Sequence, residues 1–451
     1  MNSRNALILG LGILATAGVA DFAATSFAQD SPAEVPVWIA FTDNRLEWTQ
    51  EKAAVFNEAY PQYNVVVEGY ANYEEIQQAT DLAIQQGSAP AVVQWFEVGT
   101  QRARDFGYFK SIANALDGRD EVEGIPVNFD DFIQPVVSYY TLDGEFTSMP
   151  WNSSSPILYS NTALLEAAGI EAPPATWAEL TAACEAIMAL DDAPDGCITW
   201  PNHGWFYEQW MAQQDAELAN NENGRGLRAD QLFLNTDPSV AIATWWQEME
   251  DQGYYLYSGR QRDWAATEQA IQTGTVAMVI TSSADAANIT NAAAENEIEL
   301  VTSRMPYNEE VGWTGNLIGG ASLWLVDELE PEVEEGALAF MLWLNNTENA
   351  AEWHQVTGYL PIRQSSVELL ESQGWFEENP NFFTASDQIN NSTVTIATQG
   401  ALLGSFPQTR DIITQTMEEL MLNGGDPVSA MSAANEEANA LLAEYNSLYE
   451  E

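Results

Sequence analysis

Residues 89–100 read APAVVQWFEVGT, and the fold turns on how that stretch is read. A run of strand length, Ala91–Phe96, is apolar apart from Gln94 and stops at a carboxylate, Glu97, two residues before Gly99. A short run that is apolar on both faces belongs to a strand buried on both sides, as strands of parallel sheets are. Two similar runs precede it, VPVWIAF at 35–41 and YNVVVEGY at 63–70. Helical patterns over 48–60 and 74–87 separate them, so the spacing predicts βαβ units and a mostly parallel sheet.

The same rhythm resumes after MPWNSSSPILYSN, residues 149–161. TWAELTAACEAIMAL (176–190) predicts a helix capped by Thr176. TGTVAMVITSS (273–283) reads as a strand running into a serine turn, GGASLWLV (319–326) as another strand, and the C-terminal third as almost wholly helical. A chain of 451 residues exceeds one ordinary core. It shows no repeats and no low-complexity linker, so two α/β lobes with the chain crossing between them are expected.

Charge narrows the function. There are 67 acidic residues against 14 basic ones, a formal net charge of -53, and only two lysines, Lys52 and Lys110. The 46% of hydrophobic residues argues for a folded core, so the acid is read as a solvated surface. Such a charge repels itself in dilute buffer, whereas about 1 M salt shortens the screening length to roughly 3 Å. The expectation is a protein that works in brine. It excludes a nucleic-acid footprint.

Arg4, the apolar run ALILGLGILATAGVA and the small residues Ser26 and Ala28 together predict an export signal over residues 1–28, cleaved after Ala28. Export makes Cys184 and Cys197, the two cysteines, a candidate disulfide.

Catalytic signatures are thin. His203 and His354, the two histidines, stand in no HExxH spacing, and no GxSxG, GxGxxG or GxxxxGK[ST] motif occurs. Neither metal nor cofactor is expected. A carboxylate pair of a glycoside hydrolase stays open, because 67 acids make any one pair uninformative. Tryptophan and tyrosine beside small polar residues recur instead: GYANYEE, QWFEVG, MPWNSSSP, NHGWFYEQW and HQVTGYLP. Several fall where a strand gives way to a loop, the usual ligand position in α/β folds. Rings that cover C–H faces next to groups that bind hydroxyls suit a polyol or sugar.

Seven segments in order, APAVVQWFEVGT, MPWNSSSPILYSN, GIEAPPATWAEL, SSADAANI, IGGASLW, NAAEWHQVTGYLPI and PQTRDI, closely resemble the periplasmic solute-binding proteins for sn-glycerol 3-phosphate. Those proteins serve ATP-driven importers within the maltose-binding-like superfamily. The resemblance implies an α/β, bilobed type II periplasmic binding protein with crossing hinge segments. Lobe one is expected at 29–145 plus 300–350, lobe two at 150–297 plus 353–451. It further implies a monomeric, non-enzymatic, periplasmic receptor that hands an organophosphate or polyol to the membrane permease subunits of an ABC transporter. The implied ligand residues are Tyr73, Glu97, Ser154, Trp177, Ser282 or Ser283, Gly320, Tyr359 and Arg410. Arg410 suits a phosphate, because a guanidinium binds one with two parallel hydrogen bonds. Gly358 is expected to end a helix and aim Tyr359 at the ligand, with His354 structural.

Three departures from the family pattern bear on the ligand. The anion-facing turn reads Ser282-Ser283-Ala284-Asp285, with a carboxylate where relatives carry Ser-Ser-Gly-Ser. No second arginine precedes PQTR, and Trp38-Ile39 replaces a Trp-His pair. A neutral polyol or a glycosylglycerol is therefore the alternative ligand.

Overall fold

The computed structural model describes residues 31–449, so the expected export signal lies outside the described residues. Two sheets organise the molecule. In the first, Ala33–Ile39 lies between Tyr63–Gly69 and Val92–Phe96, all parallel, as the three apolar runs predict. Gly319–Val326 then enters antiparallel beside Val92–Phe96, and its far edge pairs with Met149–Ser154 and with Phe109–Lys110. The second sheet runs Gly196–Thr199, Val276–Ser282, Pro156–Asn161, Leu300–Arg304. Helices cover both sheets, giving the bilobed α/β architecture of a type II periplasmic binding protein.

The chain crosses between the sheets at Ser155 and again between Arg304 and Gly319. Strand Met149–Ser154 thus pairs within the first sheet and Leu300–Arg304 within the second, which moves both crossings several residues from the expected lobe boundaries. Hydrogen bonding decides this, because each strand completes the edge it can reach. The expected start of the second lobe's last segment, at residue 353, also falls inside a helix, Thr347–Thr357. Trp353 on that helix packs against Trp48 and Trp151 at ring separations of 4.8 and 5.1 Å.

Local chemistry sets the helix ends that matter for function. Asn72 caps Tyr73–Gln86 by accepting from Glu75 N–H, which fixes Tyr73 at the first turn. Thr176 caps Trp177–Met188 as expected, and Glu179 reaches back to the Ala175 N–H. Helix Thr347–Thr357 ends at Gly358 with φ +105°, where a Cβ would lie 2.3 Å from the Ser283 carbonyl oxygen. A tryptophan-rich core fills the second lobe, with Trp177, Trp200, Trp210, Trp245 and Trp246 in mutual contact. Cys184 and Cys197 are joined as a disulfide, tying helix Trp177–Met188 to the edge strand Gly196–Thr199.

Candidate functional site

A cavity of about 610 Å³ lies where strand ends from both sheets meet. Seven of the expected residues line it: Tyr73, Glu97, Ser154, Ser282, Gly320, Tyr359 and Arg410. Glu97 follows Val92–Phe96, Ser154 ends its strand, Ser282 ends Val276–Ser282, and Arg410 sits in the first turns of helix Phe406–Asn423. Strand ends from both sheets thus converge on one space, the usual ligand position of such folds.

The two other expected positions lie outside the lining. Trp177 stacks on Trp245 at 4.6 Å with rings 6° from parallel, and it belongs to the second lobe's core. Ser283 exchanges hydrogen bonds with Ser155: its N–H donates to the Ser155 carbonyl, and its Oγ accepts from the Ser155 N–H. That contact fastens the serine turn to the crossing point of the chain. Ser282 Oγ accepts from the Ala284 N–H at 3.1 Å, which leaves its own hydrogen free to donate.

Tyr73 is held by a relay from the sheet. Gln94 accepts from the Ala40 N–H and donates to Asn152 Oδ1, and Asn152 Nδ2 donates to the Tyr73 hydroxyl. The ring stacks on Phe96 at 4.4 Å. With its oxygen accepting from Asn152, the Tyr73 hydroxyl has its hydrogen to give, and the Tyr359 hydroxyl stands within its reach. Gly320 has φ +109°, and a Cβ there would fall 1.9 Å from the Asn152 carbonyl oxygen, so only glycine allows the two strands this approach.

Arg410 lies between two carboxylates. Its Nε and Nη2 donate to Glu208 and its Nη2 donates to Glu97 at 2.9 Å, with all three side chains at most 3% exposed. Burial pushes the Glu97 carboxyl up to about 7 against the pull of Arg410. It raises Glu208 as well. Burial opposes the charge on Arg410, but Glu208 and Glu97 hold its proton more tightly than usual. Among the described residues Glu97 Oε2 has no hydrogen-bond partner, and the two N–H groups of Arg410 Nη1 take no part in these contacts, on a cation whose charge is already matched.

Asp285, the expected anomaly of the serine turn, faces Arg45 at 3.8 Å, and the Arg45 guanidinium lies 4.4 Å above the Phe41 ring. Glu268 stands beside Asp285. Burial raises both carboxyls, and their mutual repulsion raises Glu268 further, while Arg45 pulls Asp285 back down.

His354 is buried, and its Nδ1–H donates to the Tyr359 carbonyl at 2.7 Å, so it shapes the turn that presents Tyr359. Burial lowers its pKa to about 4.

Asp285 lines the cavity as well, and residues the sequence did not single out complete the lining, among them Asn72, Phe96, His203, Trp205, Arg262 and Trp264. His203, Trp205 and Trp264 form one ring cluster, at 5.7 and 6.1 Å from Trp264. NHGWFYEQW hinted at part of it. Arg262 carried the scarcity signal of any basic residue here but stood in no recognised segment. Glu208, which bonds Arg410 from behind, was one acid among 67.

Residues 51–384 match the family model of bacterial extracellular solute-binding proteins. The sn-glycerol-3-phosphate-binding periplasmic protein UgpB of Salmonella typhimurium is 32% identical over 420 residues, covering 91% of this chain and 93% of that protein. Its counterpart from Escherichia coli K12 is 31% identical over 450 residues, covering 98% and 97%. Among solved structures, UgpB from Mycobacterium tuberculosis in complex with glycerophosphocholine superposes with TM-score 0.74 at 21% identity, covering 92% of this chain and 98% of that one. The GacH receptor of Streptomyces glaucescens, solved unliganded and with acarbose, gives TM-score 0.74 at 17% identity, covering 92% and 99%. The chain belongs to the bacterial extracellular solute-binding proteins, a family of exported transport receptors that capture small organic solutes.

Proposed function

We propose that this receptor captures sn-glycerol 3-phosphate or a glycerophosphodiester outside the cytoplasmic membrane and delivers it to the permease subunits of an ABC importer. One observation carries the reading: Glu97 and Arg410 both line the cavity, and among the described residues the Glu97 Oε2 acceptor and the two N–H donors of Arg410 Nη1 are left over from the contacts between them. That pair matches two neighbouring hydroxyls of a glycerol unit, one donating and one accepting. The hydroxyls of Tyr73, Tyr359, Ser154 and Ser282 then supply donors for phosphate oxygens, with the charge of Arg45 acting on Tyr359. Asp285, turned toward Arg45 and Glu268, is compatible with a phosphate at this end. The likeness to the glycerol-3-phosphate-binding proteins supports the same ligand class.

A neutral polyol or glycosylglycerol is the second reading. Its support is the pairing of Arg410 with two carboxylates, which leaves that cation no net charge to spend on an anion. In either case Glu97 comes from the first lobe and Arg410 from the second, so a ligand touching both favours hinge closure, and the closed form is what a permease would recognise. The net charge of -53 is taken as an adaptation to brine.

Calorimetric titration in about 2 M NaCl, where exposed charges are screened, tests this. Heat from sn-glycerol 3-phosphate or glycerophosphocholine, with glycerol silent, supports the first reading. Silence from both phosphates with heat from a neutral glycoside replaces it with the second.

A further inference from the structure

Asp285 precedes helix Ala286–Glu295, and Glu268 lies on helix Trp264–Gln272, which packs against it in the second lobe. Glu268 is 9% exposed, and its one hydrogen-bonding partner among the described residues is the Asp285 carboxyl. Two carboxylates cannot bond each other, so one must carry a proton and donate it. Glu268 keeps that proton and Asp285 accepts from it.

The first lobe faces this pair with one cation. Arg45 lies in the first turn of helix Asn44–Ala59, and its Nη1 stands 3.8 Å from Asp285. Asp43 already accepts from the Arg45 backbone N–H and from its Nε, each at 3.0 Å, and it repels Asp285. One cation thus faces three carboxyls, Asp43, Asp285 and Glu268, and a shared proton removes half of the excess negative charge. The other titratable neighbours are neutral. Tyr159 donates its hydroxyl hydrogen to the Ser282 carbonyl, Tyr359 lies beside Arg45, and His354 is bonded to the Tyr359 carbonyl. Glu295, at the far end of its helix, is exposed.

Parting the lobes would change this balance. Asp285 lines the solute cavity and also a second cavity of about 520 Å³, whose wall includes Asp43, Arg45 and Asn288. Separation removes Arg45 and admits water to both carboxyls. Burial is the larger influence on each of them and holds both above the ordinary carboxylate range, with Arg45 pulling the other way. A pair raised when the lobes meet stabilises that arrangement below its solvated range. The contribution is lost as the pH rises through the raised one.

We infer that Glu268 and Asp285 share one proton when the lobes meet and release it when they part, so that closure of this receptor takes up a proton and is favoured by acid. The inference rests on the hinge closure proposed above and holds whichever solute the cavity takes.

The test follows the full mature chain in about 2 M NaCl from about pH 5 to about pH 9, as the native protein, Glu268→Gln and Asp285→Asn. Glutamine is the isostere of the protonated acid: it keeps a donor for Asp285 and cannot release it. Small-angle X-ray scattering of the ligand-free chain reads the lobes directly. The native radius of gyration should increase as the pH rises, and Glu268→Gln should hold its low-pH value further into alkali. Glu97, near 7 and also between the lobes, is common to both chains, so the difference between them belongs to the pair. Infrared absorption should show a protonated carboxyl near neutral pH that Glu268→Gln lacks. Asp285→Asn removes the partner carboxylate and reads the same loss where Glu268→Gln folds poorly. Binding of glycerophosphocholine, whose phosphodiester does not titrate in this range, should weaken by up to about tenfold per pH unit and take up at most about one proton, with a smaller response in Glu268→Gln. A pH response shared by the native chain and both variants overturns the inference, as does a protonated-carboxyl band that neither substitution removes. Closure that follows sodium against choline chloride at fixed pH overturns it too, by giving the pair a metal ion in place of the proton. Silence from glycerophosphocholine, with the scattering and infrared differences present, keeps the inference and counts against the proposed ligand.

Discussion

Replacing Arg410 with glutamine removes the cation that both Glu97 and Glu208 contact, in a place where all three side chains are at most 3% exposed. Deleting one partner of a buried ion pair costs about 3–5 kcal/mol, because the charge left behind stays desolvated. The loss should fall on the second lobe. Glu208 and Arg410 both belong to it, on helices Gly204–Gln213 and Phe406–Asn423, and share two hydrogen bonds, whereas Glu97 receives one from across the cleft. Glu97→Gln is the matching control. It keeps the Arg410–Glu208 pair, so it should weaken ligand binding without stranding a charge in the second lobe. Urea unfolding followed by tryptophan fluorescence reads the loss, with the five-tryptophan core of the second lobe contributing to the signal. The stranded carboxylates of Arg410→Gln take up protons more readily in the folded than in the unfolded state. The deficit should therefore grow as the pH is raised from about 6 to about 8. A destabilisation below about 1 kcal/mol, or one that does not change with pH, would refute the buried triad as the organising feature of the site.

Three further outcomes follow from the same geometry. In the native protein the Glu97 carboxyl stands near 7 against 4.5 for an ordinary glutamate. Its contribution is full below the unfolded value and is lost as the pH rises through about 7, a change of about 3 kcal/mol in ligand-free stability that Glu97→Gln should lack, checked by unfolding at stepped pH. Trp177→Ala should lower stability by about 3–5 kcal/mol, because the ring packs in the core, while titration of the surviving folded protein shows near-native affinity. Reducing the Cys184–Cys197 bridge, with a sequence separation of 13, should cost about 3 kcal/mol by chain entropy, measurable as a shift in urea midpoint with and without reductant.

The fold was legible because inner strands such as Val92–Phe96 and Val276–Ser282 are buried on both faces and read as apolar runs, whereas the edge strand Tyr63–Gly69 alternates buried and exposed residues. Glu97 stood out for the same reason, a carboxylate at the end of such a run. Arg410 stood out because cations are scarce in this chain. Its environment did not, since Glu208 lies 202 residues away and looks like any surface acid. Trp177 shows the converse error. A tryptophan at a helix start beside prolines can face a ligand or a core, and the deciding contact, Trp245, comes from a helix 68 residues on. His203, Arg262 and Trp264 are brought together only when the turn before helix Trp264–Gln272 folds over the start of helix Gly204–Gln213, and no local pattern records that meeting.

The central claim is that Glu97 and Arg410 read two adjacent hydroxyls of a glycerol unit. It is tested most directly by titrating the mature protein with sn-glycerol 3-phosphate and with 3-hydroxypropyl phosphate, which lacks the middle hydroxyl. The account predicts that the deoxy compound binds at least about tenfold more weakly, since it leaves a buried acceptor or donor unpaired. It also predicts that Glu97→Gln narrows that gap. Equal affinities in the native protein would contradict it and place recognition on the phosphate alone.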